Sequence, residues 1–444
     1  MFKTLVNAWR VADLRKKILF TVAILVIYRF GNAVPIPFIN ADALAQLFAD
    51  NGENVFYGYL NLLTGGSFTQ CTIFALSITP YITASIIVQL LTMAIPALEK
   101  MIKEGGEEGR KKQAKIMRYA AVGLGLIEGF VYYLTLYRNN IIAEGVFVAE
   151  GGTLDKILVA AIIIMTFAAG TAVVMWLGEL INDHGIGNGI SMILFAGIVS
   201  RFPVTVTSAW GFLGGGTGKL NVGNLFIVIA LVLVAIVLVG FVVWVTNAER
   251  RITVQYAKRV VGRKIYGGQS SYIPMKVNMT GVMPIIFASS IVSLPVMIAG
   301  FFNAPAEGSF WDVFLRITSA PSPVYIVLYF LLILAFSFFY AYAQFNPFEI
   351  ANNMKQNGGF IPGLRPGRPS AAYISRVLKN VTVLGAVFLG LVAVLPIIVS
   401  AFSAELSNMA LGGTTLLIVV GVALETVNQL ETQLIMRHYK GFLN

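Results

Sequence analysis

Ten long apolar stretches run through the chain, and its cations fall almost wholly into every second connection between them. The stretches are Ile18 to Val34, Cys71 to Met93, Ile116 to Leu136, Leu154 to Leu177, Gly187 to Val204, Leu225 to Val245, Val282 to Phe302, Val324 to Phe345, Val381 to Phe402 and Leu411 to Leu430. Each is about long enough to cross a ~30 Å hydrocarbon layer as a helix. Of the 32 Lys and Arg, 26 lie in one alternate set of segments. These segments precede the first stretch, join the second to the third (Arg118 at its inner end included), the sixth to the seventh and the eighth to the ninth, or follow the tenth. Only Arg138, Lys156, Arg201, Lys219 and Arg316 fall in the other connections, with Arg29 inside a stretch. Positive charge near span ends is retained on the cytoplasmic side, so the pattern predicts a multi-pass membrane protein with both termini cytoplasmic. A composition of 57% apolar against 12% charged residues argues against a soluble helical protein.

The same census excludes other classes. No polar region exceeds about 35 residues, which leaves no room for an appended soluble domain. A single Cys71, with His184 and His438 far apart, argues against a disulfide framework or a His/Cys metal site, and no cofactor is implied. The first stretch follows Arg15, Lys16 and Lys17, holds Arg29 near its outer end and lacks a clear small-residue cleavage site; it reads as a retained span rather than a removed signal peptide. The run from Gly214 to Lys219 fails as a phosphate-binding loop, because Leu213 stands where the motif's first glycine belongs and Leu220 where Ser or Thr belongs. No paired acid and base and no nucleophile constellation marks an enzyme. Any work must be powered by a partner or a gradient.

Ten spans divide as five plus five, and an odd number per half inverts a repeat. Pro80, Ile82, Ala84, Ser85 and Ile87 of the second stretch recur as Pro284, Ile286, Ala288, Ser289 and Ile291 of the seventh, at an offset of 204. A weaker echo aligns Gly189, Leu194 and Gly197 with Gly413, Ile418 and Gly421. Inverted repeats place a pathway between their halves. At the centre of these segments stand aliphatic residues: Ile78 and Ile82 one turn apart, Ile190 and Leu194 likewise, Ile286 and Ile418. They read either as ordinary helix packing or as a dewetted ring that blocks ions without chemical preference for what passes. A small-solute transporter is the alternative function, but it needs polar groups at mid-membrane, and only Glu128 and, near the inner end of the tenth stretch, Glu425 are on offer.

Three connections carry further signals. Val55 to Gln70 is apolar, with Phe56, Tyr57, Tyr59, Leu60, Leu62 and Leu63 before Gly65, Gly66, Ser67 and Phe68, yet too short to cross the bilayer. It reads as a half-helix folded back into the protein or as an amphipathic helix at the interface. Asn247 to Thr280 carries Arg250, Arg251, Lys258, Arg259, Arg263 and Lys264, and the alternation Ile252, Val254, Tyr256 predicts a strand-like hairpin. Asn346 to Asn380 carries Lys355, Arg365, Arg368, Arg376 and Lys379, with Pro362, Pro366 and Pro369 stiffening its tip. Their charge serves topology, or docks acidic partners or anionic lipid.

Along essentially its whole length the chain resembles the SecY family of bacterial protein-translocation channels. The resemblance rests on Gly178-Glu179 through His184-Gly185-Ile186-Gly187-Asn188-Gly189-Ile190-Ser191, Pro80-Tyr81-Ile82 through Ser85, Lys276-Val277-Asn278 before Pro284, Asn346-Pro347 through Gly363-Leu364-Arg365-Pro366-Gly367, and Gly412-Gly413-Thr414. It implies an all-α integral membrane protein of ten transmembrane helices in two inverted five-helix halves, residues 1–210 and 211–444, around an hourglass pore. Ile78, Ile82, Ile190, Leu194, Ile286 and Ile418 would form the pore ring, with Leu194 where relatives often carry isoleucine. A re-entrant plug helix at 55–70, including Tyr59, Leu60, Leu63, Gly65, Gly66 and Ser67, would seal the resting pore. Spans two and seven would form a lateral gate whose polar cluster is Thr83, Glu128 and Asn278. Loops 247–280 and 346–380 would dock the SecA ATPase or the ribosome through Arg250, Arg251, Lys258, Arg259, Arg263, Lys264, Arg365 and Arg368. The remaining implied partners are SecE, SecG or a similar small subunit, preprotein signal sequences and membrane lipids, in the bacterial cytoplasmic (inner) membrane.

Overall fold

In the computed structural model of the chain, residues 2–40, 43–44, 66–142, 153–213, 222–256, 259–261, 264–266, 270–299, 308–318, 322–402 and 413–440 are described. Helices stand on all ten apolar stretches. They are α2 (Ala12–Gly31), preceded by a short amphipathic α1 (Phe2–Arg10), then α3 (Thr79–Ala94) with α4 (Pro96–Glu104), α5 (Gly106–Arg138), α6 (Thr153–His184), α7 (Gly189–Val199) with α8 (Phe202–Phe212), and α9 (Val222–Asn247). The second half of the chain adds α10 (Met283–Ala299), α11 (Phe310–Thr318), α12 (Pro323–Gln344) with α13 (Pro347–Gln356), α14 (Arg368–Phe402) and α15 (Gly413–Lys440). Seven described helical segments are long and apolar enough to cross a membrane, or eight if the bent pair α3–α4 is one span. The other two stretches form α2 and the 17-residue α10.

Local chemistry sets several boundaries. Asn188 caps α7, its side-chain oxygen accepting from the N–H groups of Ile190 and Ser191. Ser322 and Asn346 do the same for α12 and α13, each followed by proline at the first helical position, where a missing N–H costs nothing. In α2 the buried residues Leu14, Thr21, Ile24 and Tyr28 share one helical face.

The second span is shorter than the apolar stretch predicts. Residues 71–78 form turns and the helix begins only at Thr79, so α3 rises about 24 Å at 1.5 Å per residue. Non-helical backbone is tolerated at such depth only inside protein. Here Cys71, Phe74, Ala75, Leu76, Ser77 and Ile78 are all buried. At its far end the chain bends by 106° into α4, at Ile95 and Pro96. The fifth span continues past its predicted end as α8, with a break at Ser200 and Arg201.

The predicted hairpin is present. Strands β1 (Glu249–Tyr256) and β4 (Ser270–Lys276) pair antiparallel, Ile252 opposite Ile273, and between them β2 (Arg259–Val261) pairs with β3 (Lys264–Tyr266). Strand β5 (Gly359–Phe360), from the other basic connection, adds to the far edge of β1, giving the order β4-β1-β5. Ile252, Val254 and Met275 bury their side chains with Ala351, Met354, Ile361, Ala371 and Ile374. The two basic connections are therefore one lobe with a shared apolar core.

Candidate pore constriction, gate and docking lobe

The six aliphatic residues at the repeat centres all belong to or pack against the apolar cluster that runs through the bundle. Ile78, Ile82, Leu194, Ile286 and Ile418 are buried in one apolar cluster, and half-buried Ile190 packs against it. They come from α3 and α7 in the first half of the chain and from α10 and α15 in the second. The cluster is much wider than these six, taking in Tyr28 of α2, Leu177 of α6, Val242 of α9, Ile333 of α12 and Leu389 of α14 among others.

Each contributing segment is held by specific contacts. Ile78 precedes α3 and accepts the first helical bond, from Ile82 N–H at 3.0 Å. Ser77 just before it has a left-handed backbone, φ +49°, and its Oγ lies 3.1 Å from the buried hydroxyl of Tyr28. Tyr28 in turn stacks on Phe74. The junction before α7 joins four spans. Ile186 N–H donates to Thr21 Oγ1 on α2, Gly189 N–H to Asn182 Oδ1 on α6, and Gly187 N–H to Gln429 Oε1 on α15, at 3.0, 2.7 and 2.6 Å. Two glycines are required here. Gly187 has φ +88°, and a Cβ on Gly189 would sit 1.9 Å from the carbonyl oxygen of Gly178.

Of the predicted plug residues, Tyr59, Leu60, Leu63 and Gly65 lie outside the described residues. Gly66 and Ser67 fall in a turn that leads to residue 78, with Ser67 buried. Phe68 beside them stacks on Tyr132 of α5 with ring centroids 4.6 Å apart, and the Tyr132 hydroxyl donates to the Phe68 carbonyl.

No hydrogen bond among the described residues joins the three residues predicted as a gate cluster. Thr83 Oγ1 donates to the Thr79 carbonyl one turn back in its own helix. Asn278 is buried beside Ser337 of α12 and Thr382 of α14. Glu128 has no hydrogen bond or ion pair among the described residues, and none links the three. A different polar contact joins α3 to the second half of the chain: the Tyr340 hydroxyl donates to Gln89 Oε1 at 2.6 Å. Its signal in the sequence is a lone amide among the apolar residues of the second stretch. Within the first half of the chain, Arg118 of α5 pairs with Glu179 of α6 at 2.7 Å.

The basic residues also differ among themselves. Arg251 is engaged within the lobe, bonded to Glu249 at 2.6 Å and lying over the Tyr272 ring. The carboxylate contact raises its already high pKa. Arg250, Arg365 and Arg368 are exposed, without an intramolecular ion pair or side-chain hydrogen bond among the described residues. Arg365 stands on a shaped loop. Gly363 and Gly367 take φ +81° and +102°, and Ser370 Oγ donates to the Arg365 carbonyl at 2.9 Å. Arg259 and Lys264 contribute backbone to β2 and β3, while Lys258 and Arg263 lie outside the described residues.

An apolar cluster drawn from both ends of a polytopic helical bundle, with two basic connections folded into one lobe, is the architecture of a membrane channel protein. The sequence model of the SecY family matches residues 72–427, and the chain belongs to that family. It is 44% identical over the full length of both chains to the protein translocase subunit SecY of Streptomyces galbus. To that of Thermotoga maritima it is 42% identical, over 100% of this chain and 98% of the relative. Among solved structures it resembles one described as a protein conducting channel, with a TM-score of 0.63 and 19% identity over 94% of this chain and 92% of that one. It also resembles Sec61 in the canine ribosome-channel complex from the endoplasmic reticulum, with a TM-score of 0.60 and 18% identity over the same shares.

Proposed function

We propose that this chain is the pore of a protein translocase in the bacterial cytoplasmic membrane, passing unfolded preproteins across and releasing membrane segments sideways between α3 and α10. The observation that carries this reading is the gathering of Ile78, Ile82, Ile190, Leu194, Ile286 and Ile418 from both halves into one apolar cluster, in a chain related along its full length to translocase subunits. A ring of aliphatic side chains suits such a substrate. It gives no fixed charge or hydrogen-bond partner to select one polypeptide over another, and when closed it dewets and blocks ions. Residues 55–70 would add a plug on the outer side, and Thr83, Glu128 and Asn278 would supply polar groups near the gate.

In this reading the basic lobe and both termini face the cytoplasm, as the charge asymmetry favours. The lobe would receive a SecA-type motor or a ribosome. Exposed Arg250, Arg365 and Arg368 are better placed for this than Arg251, whose guanidinium is already occupied. SecE and a SecG-like subunit would bind the apolar helix surfaces, and signal sequences would enter through the gate.

The test is reconstitution of the chain with its small subunits, carrying Ile82→Asn with Ile286→Asn, and separately Arg365→Glu. The double variant is expected to raise ion conductance in planar bilayers and to admit precursors with defective signals, because a wetted constriction no longer blocks. Arg365→Glu is expected to abolish motor-driven translocation while leaving the closed-channel conductance unchanged. Unchanged conductance and unchanged signal stringency in the double variant would remove the ring assignment.

A further inference from the structure

The buried polar atoms beside α10 point to a small polar site at the root of that helix. Asn278 precedes α10 at the root of the hairpin and is 8% exposed, and its Oδ1 has no hydrogen-bond partner among the described residues. Ser337 of α12 is 2% exposed, and its Oγ also lacks one. Both residues line the same small cavity, together with Thr280, Thr382 and Gly385. Buried oxygens left without partners are rare in folded proteins, and two facing one space share a cause.

The size and lining of the cavity identify its occupant. It offers about 10 Å³ to the centre of a water-sized sphere, about what a single water requires. No charged side chain lines it. A metal cation would need more oxygen ligands and a larger space than this. The walls cannot simply collapse to bring Asn278 onto Ser337. Val277 N–H is bonded to the Ala248 carbonyl at 2.8 Å, and its own carbonyl lies so close to α14 that a Cβ on Gly385 would fall 2.2 Å from it. The segment 277–280 is thus wedged between the hairpin and α14.

We propose that Asn278 and Ser337 hold a single ordered water that pins the root of α10 to α12 and α14. The water donates to Asn278 Oδ1 and accepts from the Ser337 hydroxyl, and Thr280 and Thr382 are close enough to the same space to complete its shell. Asn278 then moves with the second half of the chain when the seam between α3 and α10 parts. The site would keep the entry of the gate helix aligned with the basic lobe during each opening.

The experiment is a cryo-electron microscopy map of the complete channel complex in nanodiscs, at a resolution that shows ordered water, combined with a double-mutant cycle on thermal stability. A density peak within hydrogen-bond distance of Asn278 Oδ1 and Ser337 Oγ is expected. Asn278→Ala should lower Tm in the wild-type background. In a Ser337→Val background, where the added methyl groups fill the cavity and expel the water, the same change should lose more than half of its effect. An empty cavity between well-resolved walls, a direct Asn278–Ser337 bond, or additive effects would each overturn the proposal. Because the map needs no variant, a substitution that prevents folding leaves the question decided by density.

Discussion

Among the described residues, two seams join helices α1–α8 to helices α9–α15, and they are built differently. At one, α3 meets α10 through sparse contacts, because each helix spends most of its surface on its own half. α3 lies along α5, and α10 lies along α12. The Phe287 ring of α10 packs edge-on against Phe336 and Tyr340 of α12 rather than reaching across to α3. The polar contact described across this seam is Tyr340 to Gln89. At the other seam, α15 is stitched to the first half of the chain at several points. Gln429 takes the Gly187 N–H, Thr426 Oγ1 lies 3.6 Å from the Met192 sulfur, and Glu431 accepts from Thr4 of α1 at 2.8 Å. Leu430 is buried there with Ala8, Leu14 and Ile186. A body held firmly on one side and lightly on the other would open on the light side, which is where the gate is proposed. The lesson is that the gate proposed between α3 and α10 would be defined as much by what each helix contacts elsewhere as by what they share.

The contrast can be broken most directly at the stitched seam. Gly189→Ala would drive a Cβ into the Gly178 carbonyl, push α7 off α6 and displace the α15 contacts, a cost of about 3 kcal/mol. A large fall in the Tm of the purified complex and in its steady-state level is expected; an unchanged Tm would mean that the junction yields easily and is no anchor.

A paired comparison tests the two seams against each other. Gln429→Leu leaves the Gly187 N–H without its partner, which costs about 1–3 kcal/mol, and it should lower Tm without relaxing the demand for a functional signal sequence. Tyr340→Phe removes one neutral hydrogen bond worth about 1 kcal/mol from the light seam. It should change Tm little while increasing export of precursors with weakened signals. If the two phenotypes were exchanged, the anchor and the gate would be exchanged with them.

The smallest effect is expected at the surface. Thr4→Val removes the exposed bond to Glu431, and water replaces such contacts at a cost of about 0.3 kcal/mol. A shift in Tm beyond measurement error would promote α1 from a light strap to a principal fastening.

The sequence by itself determined the membrane class, the positions of the ten apolar segments, the alternating charge, a hairpin within 247–280 and the aliphatic character of the repeat centres. These depend on hydropathy, charge and period, which each local segment carries without its neighbours. The tertiary structure decided the rest. That the second span is helical only from Thr79 depends on protein around residues 71–78 to bury their irregular backbone. That the two basic connections form one lobe depends on β5 finding the free edge of β1, a pairing of two residues too short to carry a periodic signal. The partners of Gly187, Tyr340 and Asn278 were likewise beyond the sequence: a hydrogen bond between residues some 240 positions apart, or a small polar cavity, exists only once the packing of whole helices has set the distances.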